Sequence, residues 1–250
     1  MTYTQAQIDK ANAVNLEKFL RAQGETLVRS GKEYRWKEVL FMAGLKGKTG
    51  IVTGGSSGIG FQIANVLAQA RATVYVISRT GKPKEGVGES APGVVHLQGD
   101  IGNAEAMKTL VAELAAKHND CLNFLVNNAG VSYKCRAEDF PMEQFDNIMN
   151  VNVKYLFQMS VICYPYLKKS ADKGRIITVN SIAPGWFRSK MNEQVVDAAR
   201  EQKILNRMPL HAYGDTRDLG KMTEFLVGDG AAYITGQDFA VDGGALAFGY

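Results

Sequence analysis

Residues 48–70 read KTGIVTGGSSGIGFQIANVLAQA, and the order of residue types in this stretch decides the fold. Ile51 and Val52 close a short apolar run that predicts a buried strand. A glycine-rich turn follows, Thr53-Gly54-Gly55-Ser56-Ser57-Gly58-Ile59-Gly60. Residues 58–70 then carry apolar side chains at helical spacing. Glycines let a backbone turn tightly and approach a pyrophosphate, whose charge the free N–H groups at the helix start receive. A glycine-rich turn alone is a weak signal; strand, turn and helix in succession read as a dinucleotide cradle. The spacing is T-G-x-x-x-G-x-G rather than the commoner G-x-G-x-x-G.

Downstream the alternation continues. Strands are predicted over 72–78, 94–97, 122–126, 174–179 (GRIITV) and 237–241, and helices over 103–118, 141–168, 190–206 and 216–227. Strands separated by helices of ten or more residues pair in parallel through right-handed crossovers. The fold class expected is therefore α/β, a doubly wound parallel sheet in three α/β/α layers. Residues 81–93 (GKPKEGVGESAPG) read as a surface loop. Upstream, Ile8, Ala11, Leu16, Phe19 and Leu20 predict a helix over 5–22, and Trp36, Val39 and Leu40 one over 32–42, with Ser30-Gly31 between them. The domain organisation expected is a helical extension over 1–45 and a single dinucleotide-binding domain over 46–250.

Composition narrows the function classes. At 250 residues the chain is long enough for one large α/β domain. No stretch approaches eighteen uncharged apolar residues, so no membrane span is expected. The N-terminus lacks the basic start and apolar centre of a secretory signal, and Asp9, Glu17 and Glu25 count against a transit peptide. Cys121, Cys135 and Cys163 sit in apolar patterns, are odd in number and form no Cys-x-x-Cys. They read as buried reduced thiols of a cytoplasmic protein. The net charge of +4 resides in residues 1–50, with nine basic and five acidic side chains; the rest balance at twenty each. With no basic face and no aromatic platforms, a nucleic-acid partner is not expected, nor is a metal site.

Further motifs follow in order. Asp100-Ile101 ends the third strand, and Asn127-Asn128-Ala129-Gly130 follows the fourth. Val151-Asn152-Val153 lies in the long helix, and Pro184-Gly185 precedes Ser189. Ile234-Thr235-Gly236-Gln237 and Val241-Asp242-Gly243-Gly244 close the chain. Together with the glycine turn they resemble the short-chain dehydrogenase/reductase family over about residues 45–250. The resemblance implies hydride transfer between a nicotinamide cofactor and a small secondary alcohol or ketone, with homo-oligomers in relatives. The Tyr-Lys helix of the family lies in that subunit interface, so its loss predicts lower stability or altered association for this chain. It also implies a cofactor site. Thr53, Gly54, Ser56, Ser57, Gly58, Ile59 and Gly60 would hold the pyrophosphate, and Asp100 and Ile101 the adenine. Asn127, Ala129 and Gly130 would meet the cofactor at the sheet, and Pro184, Gly185 and Ser189 on the nicotinamide side. Asn152 matches the family's catalytic Asn, and Ser181 the Ser that orients the carbonyl. The second strand ends Ser78-Arg79-Thr80, with no acid to bind a ribose 2′-hydroxyl. A guanidinium there grips a 2′-phosphate, so NADP(H) is expected over NAD(H).

Hydride transfer to a carbonyl leaves an alkoxide that must take a proton, and a free phenol with a pKa near ~10 is a poor donor at neutral pH. The family is understood to use a Tyr tuned by a Lys four residues on, both projecting from one helix face. In this chain the predicted strand 174–179 runs straight into Asn180-Ser181-Ile182-Ala183-Pro184-Gly185. One segment thus stands for the ends of both the fifth and the sixth strands, and Ser181 is catalytic on the first alignment only. A parallel crossover needs about a dozen residues, so a deletion of roughly forty residues, carrying the Tyr-Lys helix, is expected between Val179 and Pro184. Tyr164-Pro165-Tyr166-Leu167-Lys168 spells Tyr-x-x-x-Lys, yet lies roughly 18 Å down the helix from Asn152 and reads as structural. Gly50 is expected to weaken the first strand, and Arg71 to occupy a turn that suits glycine. The sequence predicts an NADP(H)-dependent oxidoreductase by descent, impaired or inactive as written. The alternative is a non-catalytic nucleotide-binding or partner-docking pseudoenzyme; a third reading makes Tyr133 a relocated acid.

Overall fold

The computed structural model describes residues 26–29, 32–35, 44–170, 180–188 and 198–248. The chain divides into two compact units, Met1–Gly44 and Leu45–Tyr250. In the first, β1 (Thr26–Arg29) and β2 (Lys32–Arg35) pair antiparallel, with Arg29 opposite Lys32. Residues 32–35 therefore do not begin the helix expected over 32–42. A two-residue connection between four-residue segments favours a hairpin, and KEYR carries no helical apolar period of its own. The helix expected over 5–22 lies outside the described residues.

The second unit is built on β3 (Thr49–Thr53), β4 (Thr73–Ser78), β5 (Val94–Gln98) and β6 (Phe124–Val126). They form a parallel sheet in the order β5-β4-β3-β6, with Ile51 opposite both Tyr75 and Leu125. Both sheet faces are covered, which is why the central strands are apolar at nearly every position. On one face Ile51, Tyr75, Ile77 and Leu125 pack against α2 (Ala104–Ala116) and α4 (Tyr155–Leu167). On the other, Val52, Val74, Val76 and Phe124 pack against α1 (Gly58–Gln69). Val227 of α6 (Thr216–Val227) joins the same cluster. The three layers are those the alternation predicts. Asn103 and Asp215 start α2 and α6 by accepting the N–H groups of Ala106 and Arg217. The Arg217 side chain, hydrogen-bonded to Asp215, holds that carboxyl below its ordinary range.

A separate parallel ribbon joins β7 (Ser181–Pro184) to β8 (Asp238–Val241). The strand predicted over 174–179 lies outside the described residues. The long helix is α3 (Met142–Met149), a π-helical turn over Asn150–Lys154, and then α4. The α5 helix covers Ala198–Asn206 and α7 covers Ala245–Phe248.

Three local expectations meet different outcomes. Gly50 serves packing rather than weakening it, since a Cβ there would lie 2.2 Å from the Phe124 ring. Arg71 does adopt the left-handed conformation, with φ +76°. Of the cysteines, Cys163 is buried, and its thiol is pushed up to about 12 by that burial. Cys121 is half-buried, and Cys135 is exposed in the irregular segment after β6, not buried as expected.

Candidate functional site

The C-terminal edge of the sheet is assembled by one hydroxyl. Thr53 Oγ1, at the end of β3, accepts the N–H groups of Asn128 and Ala129 at 3.1 Å each and donates to the Val126 carbonyl at 3.4 Å. The Asn128 amide donates in turn to the carbonyls of Thr53 and Gly54, at 3.0 and 3.2 Å. Strand ends β3 and β6 are thereby joined where the glycine turn begins. At Gly60 a Cβ would lie 2.2 Å from Asn128 Nδ2, so only glycine lets α1 start this close to the sheet. Gly58 has φ +61° and faces open space.

The start of α1 fits an anion. Ser57 stands at the N-cap in extended conformation with no side-chain capping bond, and the first turn holds no acid. No capping side chain takes its first N–H groups, which lie at the positive end of a twelve-residue helix. The backbone of Gly58 to Gly60 and the hydroxyls of Ser56 and Ser57 are the groups at this helix start suited to a pyrophosphate. Ile59 points the other way, packing on the core.

The other expected cofactor residues lie along the same edge. Arg79 leaves β4 exposed, and its carbonyl accepts from Gln98 Nε2 at 3.2 Å. Asp100 Oδ1 accepts the Gly102 N–H at 2.9 Å, and the Ile101 carbonyl accepts from Gln158 Nε2 of α4 at 2.8 Å. Asn127 Nδ2 donates to Ser160 Oγ at 3.0 Å, while its Oδ1 is buried without a partner. Gly130 stands beside Asn152 Oδ1. Pro184 ends β7, and the Gly185 N–H donates to the Val241 carbonyl at 2.9 Å. Ser189 lies outside the described residues.

The two expected catalytic residues are both engaged elsewhere. Asn152, in the π-helical turn, grips Val131 with both ends of its amide: Oδ1 accepts the N–H and Nδ2 donates to the carbonyl, each at 2.8 Å. Ser181 opens β7, roughly 10 Å behind the strand's C-terminal end at ~3.3 Å per residue. Its hydroxyl donates to the Asp238 carboxylate, and its N–H donates to the Gln237 carbonyl at 2.8 Å. Tyr133 is exposed and packs edge-on against Phe140, and Tyr164 is exposed on α4.

Between β6 and β7 lies a cavity of about 610 Å³. Val126 and Asn127 form one side and Ser181 and Ile182 the other, with Ile63 of α1 and Leu156 of α4 from opposite sheet faces. Among the described residues, β6 and β7 belong to separate sheets. Neither this cavity nor the role of Asn128 was read from the sequence. The doubled Asn127-Asn128 was the available signal for the second.

Comparison with known proteins follows the same outline. Residues 48–197 match the family described as short chain dehydrogenase, and residues 172–245 match Enoyl-(Acyl carrier protein) reductase. The chain is 30% identical to 2-dehydro-3-deoxy-D-gluconate 5-dehydrogenase of Bacillus subtilis, covering 81% of this chain and 96% of that protein. It is 29% identical to a 3-oxoacyl-[acyl-carrier-protein] reductase of Thermotoga maritima, covering 81% and 99%. The first alignment spans 251 positions; since 81% of 250 residues is about 203, about 48 positions of the relative face no residue here. The solved RhlG/NADP active-site complex of Pseudomonas aeruginosa superposes with a TM-score of 0.69 at 24% identity, over 81% of this chain and 97% of that one, a likeness of fold.

Proposed function

The chain belongs to the short-chain dehydrogenase/reductase family, whose members are oxidoreductases acting on CH–OH groups, and we propose that it is an NADP(H)-binding member impaired in turnover. The dinucleotide domain is taken to run over 46–250, with residues 1–45 as an extension. The glycine turn, the uncapped start of α1 and the stitched strand ends fit a pyrophosphate. Arg79, at the end of a strand that offers no acid, suits a 2′-phosphate.

Bound NADP(H) supplies the hydride acceptor or donor; the chain's own residues must orient the carbonyl and move the proton. The observation that carries the reading of impairment is the pairing of Ser181–Pro184 with Asp238–Val241. Ser181 stands opposite Asp238 of β8 with its hydroxyl committed to that carboxylate, which supports reading it outside the catalytic position. Only Asn180 separates the segment expected as a strand, 174–179, from β7, which is too short for a parallel crossover. The unmatched positions of the relative, about 48, are of the size of the expected deletion, and the two family matches overlap at residues 172–197. Asn152 holds Val131 and so acts as a positioning residue. Loss of a general acid costs about 10² to 10⁴ in rate.

Thermal melting and absorbance test both halves on the full chain. NADPH is expected to raise the melting temperature while its absorbance stays constant against a panel of small ketones. No thermal shift would overturn the nucleotide reading, and rapid NADPH oxidation would overturn the impairment.

A further inference from the structure

We infer that Lys84 is a second anchor for the 2′-phosphate of NADP(H), held over the glycine turn by the strap that joins β4 to β5. This rests on the nucleotide-binding reading above and extends it to a residue that reading does not use. Parallel strands are usually joined through a helix, but residues 79–93 cross from β4 to β5 without one.

The strap is pinned at both ends. At its start the Gly81 N–H donates to the Ser78 carbonyl at 3.2 Å, and Thr80 Oγ1 donates to the Lys82 carbonyl at 2.9 Å. At its end the Ala91 N–H donates to Asn65 Oδ1 of α1 at 2.7 Å, and the Ser90 hydroxyl pairs with His96 Nε2 at 2.8 Å. Between these points the Lys84 N–H donates to the Ser56 carbonyl at 2.9 Å. Ser56 belongs to the phosphate turn itself. That bond brings the Lys84 backbone to the rim of the site, within reach of a flexible four-carbon side chain that ends in an ammonium.

Charge points the same way. Arg79, Lys82 and Lys84 are exposed side chains that enter no ion pair among the described residues, and neither do Glu85, Glu89 and Asp100 nearby. Arg79 presents a planar fork and Lys84 a mobile point charge. A phosphomonoester carrying nearly two negative charges satisfies both. The ribose hydroxyl of NADH offers neither cation a charged partner, so Lys84 acts on the choice between the two nucleotides.

Fluorescence titration of the full chain with NADPH and with NADH tests this, using the unmodified protein, K84Q, K84R and R79S. K84Q is expected to weaken NADPH about tenfold while NADH stays within about twofold. K84R should restore most of the loss, and the melting temperature without ligand should not move. Unchanged NADPH binding in K84Q, with the preference lost in R79S, would overturn the role of Lys84 and leave the nucleotide reading standing. Equal loss of both nucleotides in K84Q would also overturn it, reducing the strap to a support for the turn. No NADPH binding by the unmodified chain would remove both.

Discussion

Thr53 shows how much of the site one side chain holds. Its hydroxyl receives two backbone N–H groups, from Asn128 and Ala129, and is itself buried. Valine has the same shape without the acceptor. Thr53→Val should leave both donors unpaired at the strand ends, costing about 2 to 4 kcal/mol at ~1–2 kcal/mol per buried orphan. At this chain size that is a fall of roughly 5–15 °C in melting temperature, read by calorimetry, and nucleotide affinity should fall with it. A change under about 2 °C would mean that water replaces the hydroxyl. The residues of the turn were legible because backbone proximity to a phosphate restricts them to glycine and small polar side chains. Asn128 was not, because its task is to bond two carbonyls that only the folded sheet brings together. Gly50 was misread for a related reason: the ring that fills its place comes from Phe124, on a strand more than seventy residues away.

Elements that carry both a period and a cap were read most closely. The α6 helix runs over Thr216–Val227 as expected, since Asp215 marks its start and Gly228 its end. The β1–β2 hairpin was missed because four-residue strands hold too few side chains to show a period of two, and pairing partners decide them. The π-helical turn was also invisible in sequence, yet it is where the long helix serves the site. One extra residue in that turn presents Asn152 to Val131, with two bonds of 2.8 Å that stand in for a strand pair. Asn152→Ala should free the segment after β6 and cost about 1–3 kcal/mol. Asn152→Asp, which sets an oxygen against the Val131 carbonyl, should cost at least as much despite its shape. Hydrogen exchange at Val131 is the direct readout: protection should drop in both variants, and preserved protection in Asn152→Ala would show that the turn alone fixes the loop.

For the whole molecule, the alternation of strands and helices was enough to give the fold class, whereas association depends on surfaces that sequence does not display. Phe145, Met149, Val153, Phe157, Val161 and Tyr164 are all exposed and follow one another at steps of three or four along α3, the π-helical turn and α4. Such steps set them along one side of the helix, and Phe157 is 70% exposed. With Met142 and Leu156, also exposed, the apolar surface is on the order of the ~800 Å² that each partner gives to a standard interface. A bare stripe of this size on the Leu45–Tyr250 unit favours a second copy, because an antiparallel pairing of the same helix sets its apolar row against itself. Sedimentation of the full chain at micromolar concentration should therefore show dimers or larger species. Replacing Phe157 and Val161 together with Glu removes two apolar contacts worth ~1.5–3 kcal/mol each and adds charges that an interface would have to desolvate. The double variant should sediment as a monomer with an unchanged melting temperature in dilute solution. An unmodified chain that is already monomeric at these concentrations would refute self-association through this face.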